Sequence, residues 1–239
     1  MMKEEGMADS SFNFSKLIDE SKATILNPKG YFSSMPKEGG LVEPIIKAAV
    51  YGLIAGVIYF IFTLLNISAF TMIAGGAFMA LIGPIIFSII GLFVGGIILL
   101  IISAICGGST AFEANVRVVA ALMVLGPIQA LLSFLTGISV YAGLIVSALI
   151  ALYGLYLTFI ALVKALAAKE TVAKIIIGIL VVLYVFLLYG SFNAYRAAGK
   201  VGQQMMEQTE KLSSEQQKAL EQLQQLQKSL EKMQQEEKE

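Results

Sequence analysis

The sequence predicts an all-α fold: a polytopic membrane bundle of five transmembrane helices followed by a long C-terminal coiled-coil helix. Three observations carry that reading. Hydrophobic residues make up 57% of the 239 positions and charged residues 14%, against roughly 45–50% and about 25% in soluble domains. The apolar residues fall in three charge-free runs of 65, 46 and 21 residues, spanning positions 48–112, 118–163 and 175–195. About 20 residues at 1.5 Å each cross about 30 Å of hydrocarbon, so the runs hold two, two and one spans. The third observation is a heptad repeat in the polar tail, described below.

The N-terminal region, residues 1–44, mixes Phe12, Phe14, Leu17, Ile18, Ile25, Tyr31, Phe32 and Met35 with Lys16, Lys22, Lys29 and Lys37. Phe14, Leu17, Ile18 and Ile25 share one helical face, with Asp19, Glu20 and Lys22 largely opposite. Two readings fit: an amphipathic segment in the membrane interface, which the nearby span favours, or a surface helix packed on the bundle.

The five-span domain is expected over residues 45–191. Pro44 suits the first turn of span one, about 45–67, because its missing N–H costs nothing there. Span two is expected at about 80–105 and span three at about 111–135, capped by Ser109 or Thr110 after the turn "CGGST". "TGIS" separates it from span four, about 140–164, and "KALAAKETVAK" links to span five, about 173–191. The paired glycines at 75–76, 95–96 and 107–108 read as close helix contacts or turns.

Two Gly-Pro pairs interrupt the apolar runs, Gly83-Pro84 and Gly126-Pro127. Gly126 and Pro127 fall inside span three and predict a kink, with Gln129 positioned to satisfy the backbone carbonyl that Pro127 frees. Gly83 and Pro84 lie near the start of span two, where an interfacial stretch would turn into the helix. The two pairs are therefore not read as a matched pair. Glu113 and Arg117 stand four apart and predict an exposed ion pair at the membrane boundary, worth a few tenths of a kcal/mol. Asn66, Gln129, Thr63, Ser88, Ser103, Ser133, Ser147 and Thr158 are expected to bond between spans.

The tail, residues 192–239, carries Met205, Thr209, Leu212, Gln216, Ala219, Leu223, Leu226, Leu230 and Met233, spaced alternately four and three apart. That 3.5-residue period is a coiled-coil seam. It predicts oligomerisation or pairing with another membrane protein; the plainer alternative is a solvated helix extending span five.

Lysine and arginine near the spans set the orientation. Lys29, Lys37, Lys47, Arg117, Lys164, Lys169 and Lys174 fall on one side, and Arg196, Lys200 and Lys211 on the other. The N-terminus is thus expected in the cytoplasm and the C-terminus across the membrane. The N-terminus also lacks the apolar core of a cleavable signal, so span one is expected to act as an uncleaved anchor. The chain has no histidine, one cysteine and zero net charge. The commonest general base and metal ligand are missing, and nothing points to nucleic acid. No catalytic, cofactor or metal site is expected.

"LNPKGYFSSMPKEGGLVEPIIKAAVYGLI", "GGSTAFEANVRVVAALMVLGPIQALLSFL" and "ALIALYGLYLTFIALVKALAAKETVAKIIIGILVVL" together resemble the Yip domain, named for Ypt-interacting proteins. The features are an Asn-Pro with nearby aromatics, an acidic-Pro opening of span one, a proline in span three, and repeated tyrosines with a short basic link between spans four and five. The resemblance covers about residues 26–192 and implies a five-span fold with a cytoplasmic N-terminus and a C-terminus across the membrane. It also implies a proline near position 127. Eukaryotic members are associated with Rab GTPases through a longer N-terminal region with a DLYGP-type motif, which this sequence lacks. Rab binding is therefore not carried over, and the chain looks like a prokaryotic member. The expected role is a non-enzymatic scaffold or assembly protein of the plasma membrane, the alternative a transporter or channel for small solutes or lipids.

Overall fold

The computed structural model of the chain describes residues 13–65 and 76–194. Asn66, the coiled-coil seam from Met205 to Met233, and Arg196, Lys200 and Lys211 lie outside the described residues. Contacts divide the chain into two units, Met1–Leu183 and Tyr184–Glu239. The described residues are helical, and five stretches are long and apolar enough to cross a membrane.

Two short helices come first. In α1 (Phe14–Leu26) the side chain of Asn13 caps the start by accepting from the Lys16 amide. Asn27 ends α1 and caps α2 (Pro28–Ser34), accepting from the Gly30 amide at 3.2 Å. Pro28 takes the first position of α2, where it has no helical amide to lose. "LNP" is therefore a corner. α1 lies on the bundle through Leu17, which is buried against Tyr51 and Val124. Its outer side keeps Phe14, Ile18 and Leu26 exposed. α2 sends Phe32, fully buried, and Met35 into the main core with Leu99, Val118, Leu162 and Leu166.

The first span is α3 (Val42–Leu64) and the second is α4 (Ala77–Ile105). Both begin three residues earlier than the sequence predicts. The two helices meet at "GLIAG". A Cβ on Gly56 would collide with the Leu81 carbonyl oxygen, and one on Gly52 would come within 2.8 Å of the Pro84 carbonyl oxygen. Small residues four apart let the two backbones touch, which matters where lipid removes the hydrophobic drive for helix association. On the other side of α4, Gly95 and Gly96 admit Val119 and Val116.

The third span, Phe112–Ile138, is not one continuous helix. It consists of α5 (Phe112–Leu122), α6 (Leu125–Leu132) and α7 (Phe134–Ile138). Met123 and Val124 form a turn before α6. An α-helix would pair the Met123 carbonyl with residue 127, but Pro127 has no N–H. Gly126 donates to that carbonyl instead, at 2.9 Å. Gln129 is therefore not needed there, contrary to expectation: its amide donates to Ser147 Oγ at 2.9 Å, on the next span. The cap of α5 is Ala111 rather than Ser109 or Thr110, although Ser109 Oγ accepts from the Ala111 amide at 3.3 Å. "TGIS" is also shorter as a connection than predicted, since α7 continues to Ile138 and Ser139 caps α8 (Val140–Lys164).

The last span is α9, Glu170–Ala194. Two backbone bonds, Ser109 N to Leu166 O and Lys169 N to Cys106 O, tie the turn after α4 to the loop before α9. Most of the remaining hydroxyls do not join helices: Ser88, Ser133 and Thr158 donate to carbonyls of their own segments. Ser103 donates to the Ser109 carbonyl and closes the turn after α4. Thr63 Oγ1 is buried without a hydrogen-bond partner among the described residues.

Gly56→Leu should lower the melting temperature of the detergent-solubilised protein, because the α3–α4 contact cannot accommodate it; overpacking costs of order 1–3 kcal/mol. Gly178→Leu in α9, where a Cβ meets open space, should leave melting unchanged. Equal melting of the two variants would refute the close contact.

Candidate functional site

The polar chemistry of the described residues converges where α1, α3 and α5 meet. Arg117 lies in the second turn of α5 with only 5% of its side chain exposed. Its Nε donates to Glu113 Oε1 at 3.0 Å, its Nη1 to Glu43 Oε2 at 3.0 Å, and its Nη2 to the Gly40 carbonyl at 2.8 Å. Glu113 Oε1 also accepts from the Gly40 amide, at 2.6 Å. The fork of the guanidinium thus clamps two carboxylates and one loop.

That loop reaches Arg117 because of its glycines. Gly39 and Gly40 have φ of 127° and 84°, where glycine is the only comfortable residue. A Cβ on Gly39 would also sit 2.8 Å from Arg117 Nη2.

From Glu43 the network continues outward. Lys47 Nζ stands 3.0 Å from Glu43 Oε1 and 2.5 Å from Glu20 Oε2. Lys16, more exposed, lies 3.7 Å from both Glu20 Oε1 and Glu43 Oε1. Charges alternate from Glu113 to Lys16, and the chain of pairs ends on α1. Neutral bonds add to it. The hydroxyls of Ser21 and Tyr51 meet at 2.7 Å, and Tyr153 donates to the Ile25 carbonyl at 2.5 Å. Burial pushes the Tyr31 hydroxyl up to about 12, with Lys47 opposing and Glu20 reinforcing that shift.

The sequence singled out Glu113 and Arg117, and the structure brings them together. It does not put them in the exposed setting expected, since Gly40 and Glu43 cover the guanidinium. Sequence reasoning missed Glu43, Lys47 and Glu20 as members of the cluster. The available signal was the spacing of four between Glu43 and Lys47 at the start of the first span.

A cavity of about 310 Å³ opens one helical turn beyond Lys47 along α3. Tyr51, Gly52, Ala55 and Tyr59 form one wall; Pro84 with Ser88, and Gly126 with Gln129, form others. Both Gly-Pro sites therefore border one space. Pro84 is also inside α4, preceded by seven helical residues, rather than at the start of the helix.

Arg117→Ala would leave Glu113 without its cation and remove the guanidinium from Glu43 and from the Gly40 carbonyl. Hydrogen bonds to charged groups are worth about 1.5–3 kcal/mol each, so a clear drop in melting temperature is expected, and Arg117→Lys should recover it only in part. Full recovery by lysine would mean that the fork is irrelevant. Tyr31 gives a pH signature. Its folded value exceeds the ordinary 10, so the stability it contributes is complete below pH 10 and is lost as pH rises through about 12. Tyr31→Phe should remove that part of the alkaline loss, read as melting temperature against pH.

A sequence model described as the Yip1 domain matches residues 22–191. No curated protein and no solved structure matches the chain. The match begins within α1, covers Glu43, Lys47, Glu113 and Arg117 of the charge cluster, both Gly-Pro sites and all five spans, and stops near the end of α9. This chain, a multi-pass membrane protein, belongs to the Yip1 domain family.

Proposed function

We propose that this protein is a non-enzymatic scaffold or assembly protein of the prokaryotic plasma membrane, associating through its last span and C-terminal helix. The observation that carries this reading is the outward surface of α9. Only 11% of its most apolar window is buried within the chain, against 33% for the third span. Ile175, Ile179 and Val182 form an exposed ridge spaced four and three apart. The chain then leads into the heptad positions from Met205 to Met233, which have the spacing of a pairing seam.

The charge cluster supports a non-enzymatic role. Glu20, Glu43 and Glu113 are each bound to cations that hold α1 and the Gly39–Gly40 loop in place, so these carboxylates serve to fasten the N-terminal region. Exposed Phe14, Ile18 and Leu26 on α1 give it an apolar edge to lay against the membrane interface. The excess of Lys and Arg near the N-terminal side of the spans supports a cytoplasmic N-terminus and a C-terminus across the membrane.

A second reading, transport of a small solute or lipid, is favoured by the cavity beside the two Gly-Pro sites, with Gln129 and Ser88 on its walls.

Deleting residues 205–239 should reduce the oligomeric mass in mild detergent or remove a copurifying membrane partner. If both stay as in the full chain, the role assigned to the tail is wrong. Transport predicts solute flux or lipid scrambling in liposomes that Gln129→Ala impairs; no movement across a broad panel would count against it.

A further inference from the structure

A groove of about 390 Å³ runs between α8 and α9, separate from the charge cluster and from the Gly-Pro cavity. Its walls are apolar: Leu152, Leu155 and Phe159 from α8, and Ile177, Gly178 and Val181 from α9. Lys174 stands at one end, and Tyr156 lines the α8 side. From Lys174 to Val181 the groove extends about 10 Å along the helix axis.

The polar end carries an excess of positive charge. Lys174 pairs with Glu170 at 2.7 Å, and both side chains are more than half exposed. Glu170 is also reached electrostatically by Lys164 and Lys29, and Lys169 is its neighbour in sequence. All four lysines are exposed. One carboxylate thus faces several cations, unlike the charge cluster around Arg117, where acids and bases balance.

We propose that this groove binds an anionic glycerophospholipid, one acyl chain lying along the apolar walls and the phosphate resting on Lys174. A basic end joined to an apolar slot between spans complements both parts of such a lipid, and the lysine stem lies along the apolar surface while its ammonium stays at the polar end. Gly178 makes the slot: a Cβ there meets nothing within 4 Å, so the helix leaves space where any side chain would fill it. The occupant is distinct from the assembly surface proposed above. Groove residues 174, 177, 178 and 181 fall on one face of α9, whereas Ile175, Ile179 and Val182 lie roughly 120° away.

The test is lipid retention by the purified full chain, measured by native mass spectrometry with phosphatidylglycerol and with phosphatidylcholine. The wild type should retain phosphatidylglycerol several-fold better. Lys174→Gln and Lys164→Gln should each lower that preference, by about fivefold for Lys174. Gly178→Leu should lower retention of both lipids while melting like the wild type. Glu170→Gln should raise the preference, a gain that misfolding cannot produce. Lys22→Gln, a distant exposed charge, should change nothing. The proposal fails if the wild type shows no preference, if Lys22→Gln acts as strongly as Lys174→Gln, or if Gly178→Leu retains lipid normally. Displacement of the lipid by millimolar inorganic phosphate would assign the site to free phosphate and overturn it equally.

Discussion

Arg117 enters the third span in its second turn, in surroundings where an unpaired cation would cost several kcal/mol. Every neighbouring element is arranged to avoid that cost. The Gly39–Gly40 loop folds back with left-handed backbone to bring a carbonyl and an amide to it. The first turn of α3 supplies Glu43, whose second oxygen then needs Lys47, and Lys47 needs Glu20 on α1. The position of the N-terminal helix on the bundle follows from one guanidinium three contacts away. A buried network of this kind adds little net stability over apolar packing, but it penalises every arrangement in which a member is missing. Its contribution is to specify one placement of α1.

The same face of α3 carries the next feature inward. Glu43, Lys47, Tyr51, Ala55 and Tyr59 are four apart and form a continuous stripe. The first two belong to the charge network, and the last three line the cavity. Tyr51 joins the two regions, because its ring packs against Leu17 and its hydroxyl meets Ser21 of α1. Opposite this stripe the third span breaks at Met123 and Val124. The missing amide of Pro127 causes the break, and the Gly126 amide satisfies the freed carbonyl. Irregular backbone at membrane depth is tolerated where protein buries it, and here it faces the cavity rather than lipid.

Span number was legible because lipid imposes a length, and charge-free runs report that length directly. Family membership was legible for a related reason: the Asn-Pro corner, the acidic-Pro opening and the proline of the third span are local backbone devices written in a few residues each. The interior of the third span was legible in part: Gly126-Pro127 predicted a kink, but neither its place at 123–124 nor the second break. The break at 123–124 is as apolar as the helices around it, and at 133 a single serine interrupts the run, so hydropathy passes over both. The contact at Gly52 and Gly56 carried a known small-residue spacing, but its partner on α4 is set only by packing. Gln129 shows the limit most plainly. Its nearness to Pro127 invited a local partner, whereas the side chain crosses to Ser147, 18 positions away in sequence. The burial of Arg117 had the same cause, since Gly40 and Glu43 lie more than 70 positions upstream.

Separation of the polar features constrains what the bundle can do at once. The balanced network on α1, α3 and α5 leaves no net charge to attract an ion, while the lysines around the α8–α9 loop are exposed and matched by one carboxylate. The proposed recognition of an anionic headgroup therefore fits the second place, and fastening of the N-terminal region the first. On α9 itself the groove face and the outward ridge point in different directions, so a lipid held against α8 leaves Ile175, Ile179 and Val182 uncovered. Occupying the groove would brace a helix that the chain alone packs sparingly, and it would do so without competing for the surface proposed for association. On this geometry the proposed lipid site and the proposed assembly surface of the last span do not compete, and a ligand that orders α9 would favour association made through the ridge.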